Sequence, residues 1–344
     1  MKNIYELSFP ELSTELATLG TKPFRSKQIW QWIWQKGCTD FADMTNIGKE
    51  LRSLLSKHFS LQRPKVYSVK SSEDFTTKFL LQLEDNNLIE TVLIPERDHY
   101  TLCISSQVGC PLGCTFCSTG QMGFIRNLSA GEILTQILIA REYVLEKDPS
   151  TPLRNIVFMG MGEPLLNWDQ VERALHVIRD DTALNFSYRR VTLSTVGIPD
   201  RLQEFAETGL ASLAVSLHAP TQELRESLMP KAARMFPLEH LLGNLETIPL
   251  RNRQRITIEY ILMKDTNESL HHAKNLNRIL SSFPSKLNLI SFNPDPELPY
   301  QAPSKEDVLQ FERYLWEKNQ AVFLRKSKGQ DIKAACGQLQ NEYT

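Results

Sequence analysis

From Tyr100 onward the chain alternates short aliphatic, β-branched runs with stretches of helical periodicity, and this alternation narrows the fold more than any other feature. The runs are YTLCISS, RNIVFMG, YRRVTLST, LASLAVSL, RITIEYIL and KLNLIS. A last one, AVFLRK, follows a helical pattern near residues 304–318. Helices between successive strands act as crossovers, which make neighbouring strands parallel and cover the faces of the sheet. Six or so such units predict an α/β fold with a parallel sheet, open or partly closed into a barrel. One helical stretch opens on Ser129-Ala130-Gly131-Glu132, a capping box. Ligands in such folds bind at the C-terminal ends of the strands, so the residues ending these runs are the ones to inspect.

The upstream pattern is different. SFPELSTELATLG carries Pro10 near a helix start and Gly20 past its end. In FRSKQIWQWIWQK the residues Ile29, Trp30, Ile33 and Trp34 share one helical face, and Leu51, Leu54, Leu55 and His58 repeat the spacing. The three nearby tryptophans can stack on bases or fill the core of a small unit, and the apolar spacing favours the core. Lys22, Arg25, Lys27 and Lys36 form a modest basic cluster usable for phosphate contact. KVYSVK, TKFLLQLE, a turn at Asp85-Asn86-Asn87 and LIETVLIP then read as a β-meander. By itself, Glu90 in this last run reads as a solvent-facing strand residue.

With 39 basic and 40 acidic residues the net charge is −1, so no global positive field draws the protein to nucleic acid. Such a partner needs local patches. Arg189-Arg190, Arg251/Arg253/Arg255 and Arg325/Lys326/Lys328 are candidates, each equally readable as a solvated face. MKNIYELSFP has no signal-peptide core, and no run approaches the roughly 18 apolar residues of a membrane span. A soluble, cytoplasmic protein with no membrane partner is expected.

The 6 cysteines are too few for a disulfide scaffold in 344 residues, which favours metal or redox chemistry. Cys103, Cys110, Cys114 and Cys117 crowd together, Cys336 lies near the C-terminus, and Cys38 stands alone with no motif and no assigned role. Cys110-Pro-Leu-Gly-Cys114-Thr-Phe-Cys117 is a C-x3-C-x2-C loop directly after a strand. Three thiolates at this spacing can hold a 4Fe–4S cluster and leave one iron open. The alternative is a structural zinc site with a fourth ligand such as Cys103 or a histidine, in an RNA-binding protein without catalysis.

The cysteine loop, with an aromatic before its third cysteine and a Gly160-Met161-Gly162-Glu163-Pro164 turn after the next strand, resembles the radical S-adenosylmethionine (SAM) superfamily. Across nearly the whole chain QVGCPLGCTFCSTGQMGFIRNL, FMGMGEPLLN, LSTVG, SLHAP, EYIL, FNP and AACGQL are similar to the RlmN-type RNA (adenine-C2)-methyltransferases. Pro164 separates them from the sister enzymes that methylate adenine C8. The chain departs from the family pattern at Ser291, Gln330, Lys333 and Lys231-Ala232-Ala233-Arg234, none of them a cluster or methyl-transfer position.

The resemblance implies a partial (β/α)6 radical SAM barrel with a small N-terminal helical domain. Residues 1–62 would be that RNA-binding-like domain, 63–95 a meander linker or extension, and 96–344 the radical SAM core with the C-terminal cysteine segment. It further implies Cys110, Cys114 and Cys117 as cluster ligands. Gly162, Glu163, Ser194, Ser216, Leu217, His218 and Asn293 would be SAM contacts. Each of the polar ones sits where a βα fold aims side chains into its site, and each is also explicable by local hydrogen bonding.

Cys336 matches the methyl-carrying cysteine, Cys103 its resolving partner and Glu90 an acid near the target base. Adenine C2 lies between two ring nitrogens and is electron-poor, so polar methylation fails. The family instead methylates the carrier cysteine with one SAM, activates that methyl by radical cleavage of a second, and adds the carbon to C2. Cys103 then attacks the sulfur of Cys336, releasing RNA and leaving a disulfide. Either Cys103 or Glu90 takes the C2 proton. The implied partners are 23S rRNA, tRNA and a flavodoxin-type or other low-potential reductant, and the chain is expected to be a monomer.

Overall fold

The computed structural model of the chain describes residues 1–340. It begins with three helices, α1 (Phe9–Thr18), α2 (Phe24–Trp34) and α3 (Lys49–His58). Ser8 and Glu11 cap α1 reciprocally. Ile29, Trp30, Ile33 and Trp34 are all buried, and the Trp34 ring meets Tyr5 and Trp30 edge-on at centroid separations of 5.5 Å. Two of the three tryptophans are therefore core. Trp32 is half-buried, with the Lys36 ammonium 3.6 Å from its ring centre. In α3 Leu55 is buried, whereas His58, expected on the same face, is exposed.

The meander follows as β1 (Lys65–Ser71), β2 (Thr77–Gln82) and β3 (Leu88–Pro95), antiparallel to one another. β4 (Tyr100–Cys103) pairs antiparallel with β3. Helix α4 (Ala130–Lys147) then leads to β5 (Leu153–Phe158), which runs parallel to β4. The same step repeats through α5 (Trp168–Arg179), β6 (Val191–Thr195), α6 (Pro199–Thr208) and β7 (Ser212–Ser216). Three helices, α7 (Gln222–Leu228), α8 (Pro230–Met235) and α9 (Leu238–Thr247), precede β8 (Ile256–Leu262). α10 (Leu270–Leu280), β9 (Ser285–Ser291), α11 (Lys305–Glu317) and β10 (Val322–Arg325) complete the series.

These ten strands form one sheet in strict chain order, β1 at one edge and β10 at the other, with β4 to β10 parallel. Among the described residues no ladder joins the two edges, so the barrel is partial, as expected. The meander continues this sheet. Because β2 and β3 lie inside it and are covered on both faces, they are buried almost end to end. That overturns the solvent-facing reading of Glu90, which is only 2% exposed.

The N-terminal helices are tied to the barrel by polar contacts. The Glu6 carboxylate accepts from Ser129 Oγ at 2.7 Å and from Gly131 N at 3.2 Å, at the start of α4. Trp30 Nε1 donates to Asp180 Oδ2 at 2.9 Å. Among the described residues no helix is long and apolar enough to cross a membrane.

Candidate active site

A short hairpin, Gln107–Gly109 against Phe124–Asn127, frames the cysteine loop. Gly109 closes it at φ +73°, where a Cβ would lie 1.9 Å from the Gly123 carbonyl oxygen, so only glycine fits. Inside the loop Cys117 N donates to Cys114 O at 3.2 Å, and Cys110 N to Gly123 O at 2.8 Å. From outside, Thr115 N is held by the Leu228 carbonyl at the end of α7 (2.9 Å) and Ser118 N by the Gly337 carbonyl (2.7 Å).

Burial pushes the Cys110 thiol up to about 12, raises Cys114 well above its ordinary range and raises Cys117. Thiols so hard to ionise become thiolates when a metal centre takes up their charge. Among the described residues no three His, Cys, Asp or Glu side chains converge closely enough to hold a single metal ion. Three thiolates in one loop suit a 4Fe–4S cluster, which needs no fourth protein ligand, whereas a structural zinc site does. Arg225 on α7 is fully buried with no ion pair among the described residues, gives its guanidinium only to the Phe236 and Val196 carbonyls, and interacts electrostatically with Cys114. An anionic centre on the loop suits such a cation.

The three cysteines, Gly162, Glu163, Ser194, Ser216, His218 and Cys336 line one cavity of about 150 Å³ at the C-terminal ends of the strands. Gly162 follows β5 at φ +100°, packed so closely that a Cβ would meet Gln107 at 2.5 Å. The buried Glu163 carboxylate accepts from Leu165 N (3.0 Å) and Val196 N (2.9 Å), tying the turn to the end of β6. Burial raises it to about 7. With its side chain so engaged, the turn offers a ligand chiefly backbone.

His218 sits at φ +56°, unusual for a non-glycine residue, with its ring edge-on to Phe116. Its Nδ1 accepts from Ile261 N at 3.2 Å, and burial lowers its pKa to about 3, so it is neutral and carries its proton on Nε2. Two predicted contacts stand apart from the cavity lining. Leu217 is buried, its backbone N bonded to Glu259 O. Asn293 donates to the Cys336 carbonyl at 3.0 Å and accepts from Gln330 Nε2 at 2.7 Å.

Sequence reasoning missed Glu259, on β8. It lines the same cavity, accepts from Ser194 Oγ at 2.9 Å and, among the described residues, leaves Oε1 buried without a hydrogen-bond partner. An unsatisfied buried acceptor suits a hydroxylated ligand such as the ribose of SAM. A lone acid in the apolar run ITIEYIL was the available signal.

A second cavity, about 250 Å³, adjoins the first and shares Met159, Ile290 and Cys336 with it. Its wall is largely apolar, with Cys103, Cys336 and Arg325 in it. Burial, then the neighbouring Cys336, push the Cys103 thiol up to about 12, and Arg325 partly offsets this. Glu90 is not in this lining; it pairs with Lys78 at 2.8 Å, and its other oxygen accepts from Gln340 N at 3.0 Å.

The basic clusters divide. Arg325, Lys326 and Lys328 all line the second cavity, and Lys328 also bonds the Pro95 carbonyl and pairs with Glu96 at 3.6 Å. Arg189 and Arg251 gather around Tyr188, and Arg190 reaches Asn155. These three lie at the N-terminal ends of the strands, opposite the site, which removes them as substrate contacts there.

Residues 2–61 match the family model described as the ribosomal RNA large subunit methyltransferase N-terminal domain, and residues 104–276 that of the radical SAM superfamily. The dual-specificity RNA methyltransferase RlmN of Oleidesulfovibrio alaskensis is 53% identical, the match covering 98% of this chain and 96% of the relative. That of Geobacter sulfurreducens is 44% identical over 99% of this chain and 93% of the relative. Among solved structures, a radical SAM methyltransferase from Sphaerobacter thermophilus superposes with a TM-score of 0.93 at 37% identity, covering 99% of both chains.

Proposed function

Since the chain belongs to the RlmN family of radical SAM RNA methyltransferases, we propose that it methylates C2 of one adenine in 23S rRNA and of the adenine 3′ of the anticodon in some tRNAs. Its cofactors are a 4Fe–4S cluster and SAM. When bound, they supply the methyl group and a strong hydrogen-atom abstractor. Cys110, Cys114 and Cys117 hold the cluster. The Gly162-Glu163 turn, Ser194, Ser216, Leu217, His218 and Asn293 make up the SAM site, with the two set back from the cavity acting through backbone or through the Cys336 carbonyl.

One observation carries the reading: Cys336 lines both cavities, and Cys103 lines the second. A carbon loaded on Cys336 beside the cofactor cavity is thereby presented to a base in the neighbouring one. The base must be splayed out of its stack, because C2 is inaccessible in a paired helix. The apolar wall around Met159 and Ile290 receives its faces, and Arg325 and Lys326, which line the same cavity, suit its phosphates. Cys103 shares the cavity with Cys336 and Glu90 does not, so the C2 proton is assigned to the thiolate form of Cys103. Cys103 then attacks the sulfur of Cys336. The S–C bond to the base breaks with its electron pair going to the carbon, which takes up the proton Cys103 gives up and becomes the methyl group. An S–S bond forms, and an external reductant restores both thiols with two electrons and two protons.

Alanine variants of the two cysteines test this. Cys336→Ala should keep its iron and form neither methylated RNA nor any protein–RNA adduct. Cys103→Ala should stall after addition and accumulate RNA bound covalently at Cys336, visible as a shifted band under denaturing conditions. RNA methylated by Cys336→Ala would sink the carrier mechanism, and an adduct-free Cys103→Ala would remove the resolving role alone.

A further inference from the structure

The loop that carries Cys336 has little conformation of its own. Apart from one 3-10 turn at Gln330–Ile332 it lacks helix and strand, and Lys333 and Gly337 take φ of +49° and +84°. Its shape must therefore come from what it touches. On the sheet side Asp331 accepts from Ser72 and Glu73 N, and Gly329 N donates to Asp74, all before Cys336. Contacts on both sides of Cys336 meet at the Lys78–Glu90 pair of β2 and β3, both side chains 3% exposed and 2.8 Å apart. A buried ion pair is a poor stabiliser, because desolvating two charges offsets most of their attraction, and apolar replacements of similar volume are often neutral.

What this pair does beyond neutralising itself is specific. The Lys78 ammonium also donates to the Lys333 carbonyl at 3.1 Å, and the second oxygen of Glu90 accepts from Gln340 N at 3.0 Å. Those two partners lie three residues before Cys336 and four residues after it. An ammonium has donors enough for Glu90 and a carbonyl together, and a carboxylate has one oxygen for Lys78 and another for Gln340 N. The geometry thus joins both flanks of the loop through one pair of charges.

We propose that the Lys78–Glu90 pair is a latch holding both flanks of the Cys336 loop against the sheet, which makes Lys78 a positioning residue for the methyl-carrying cysteine. The latch rests on the carrier role given to Cys336 above. It also gives Glu90 an occupation other than proton acceptor, in keeping with its absence from the second cavity.

The test is the double variant Lys78→Met/Glu90→Gln, which removes both charges and leaves none stranded, studied as reconstituted holoenzyme beside wild type. Iodoacetamide labelling, read peptide by peptide in a mass spectrometer, compares Cys336 with Cys38. Cys38 is buried among the N-terminal helices and reports general loosening. An open latch should speed labelling of Cys336 by about tenfold with Cys38 unchanged. Loading of methyl onto Cys336 from SAM should slow by about ten- to a hundredfold at equal iron content, as expected of a misplaced reacting group.

Wild-type rates at Cys336 in the double variant would overturn the latch, as would equal acceleration at Cys38 and Cys336, which marks global destabilisation. If wild-type Cys336 never acquires a methyl group, the carrier role fails, and the labelling ratio still decides the latch.

Discussion

Burial sets the reactivity of the site cysteines. Cys103 stays a thiol at neutral pH because burial in an apolar wall raises its pKa to about 12. Its attack on Cys336 needs the thiolate, whose fraction grows about tenfold per pH unit below the pKa. The shift is upward, so the reactive form is gained as pH rises. Release of RNA from the covalent adduct should therefore accelerate by about tenfold from about pH 7 to about pH 8. Quenched time points of adduct decay would measure this, and a flat profile would mean that attack by Cys103 does not limit release. His218 has no part in such a profile, since its pKa of about 3 leaves it neutral throughout.

Helix α4 shows how an element signalled locally acquires a distant duty. Its capping box was legible in the sequence, and Ser129 Oγ accepts from Glu132 N at 3.1 Å as the motif requires. The same hydroxyl donates to Glu6, so the cap is also part of the seam between the N-terminal helices and the barrel. Ser129→Ala loses both bonds and should cost about 1–2 kcal/mol in chemical denaturation. Glu6→Gln, which leaves the cap intact, should cost less. Equal losses would assign the whole effect to the seam. In β3 local reading went astray, because a lone acid reads as a surface residue although Glu90 is buried against Lys78 and the C-terminal loop.

For the molecule as a whole, the N-terminal unit matters as packing. Trp30 bonds Asp180, Glu6 bonds the start of α4, and Arg173 donates to the Glu6 carbonyl at 2.9 Å and to Glu11 at 2.7 Å. Removing residues 1–62 strips these partners from the barrel and bares the apolar surface beneath them. The truncated chain should aggregate and retain less iron than the full chain, as light scattering and iron analysis would report. A stable, iron-loaded barrel would show instead that the unit is an appended arm for RNA.

Sequence alone determined the alternation of strand and helix, the strand order that follows from it, and the loop that holds Cys110, Cys114 and Cys117. These depend on neighbours a few residues apart, whose spacing writes itself into the chain as periodicity, caps and glycines. It also exposed Cys103 and Cys336, though only a family likeness joined them. Tertiary structure alone decided that both open on one cavity, that Glu259 lines the other, and that Arg189, Arg190 and Arg251 lie at the far end. It also decided that Lys78 meets Lys333 and Glu90 meets Gln340, contacts spanning 255 and 250 residues. Such pairings leave no local mark, because the desolvation that makes them consequential arises only when the sheet and the C-terminal loop close over them.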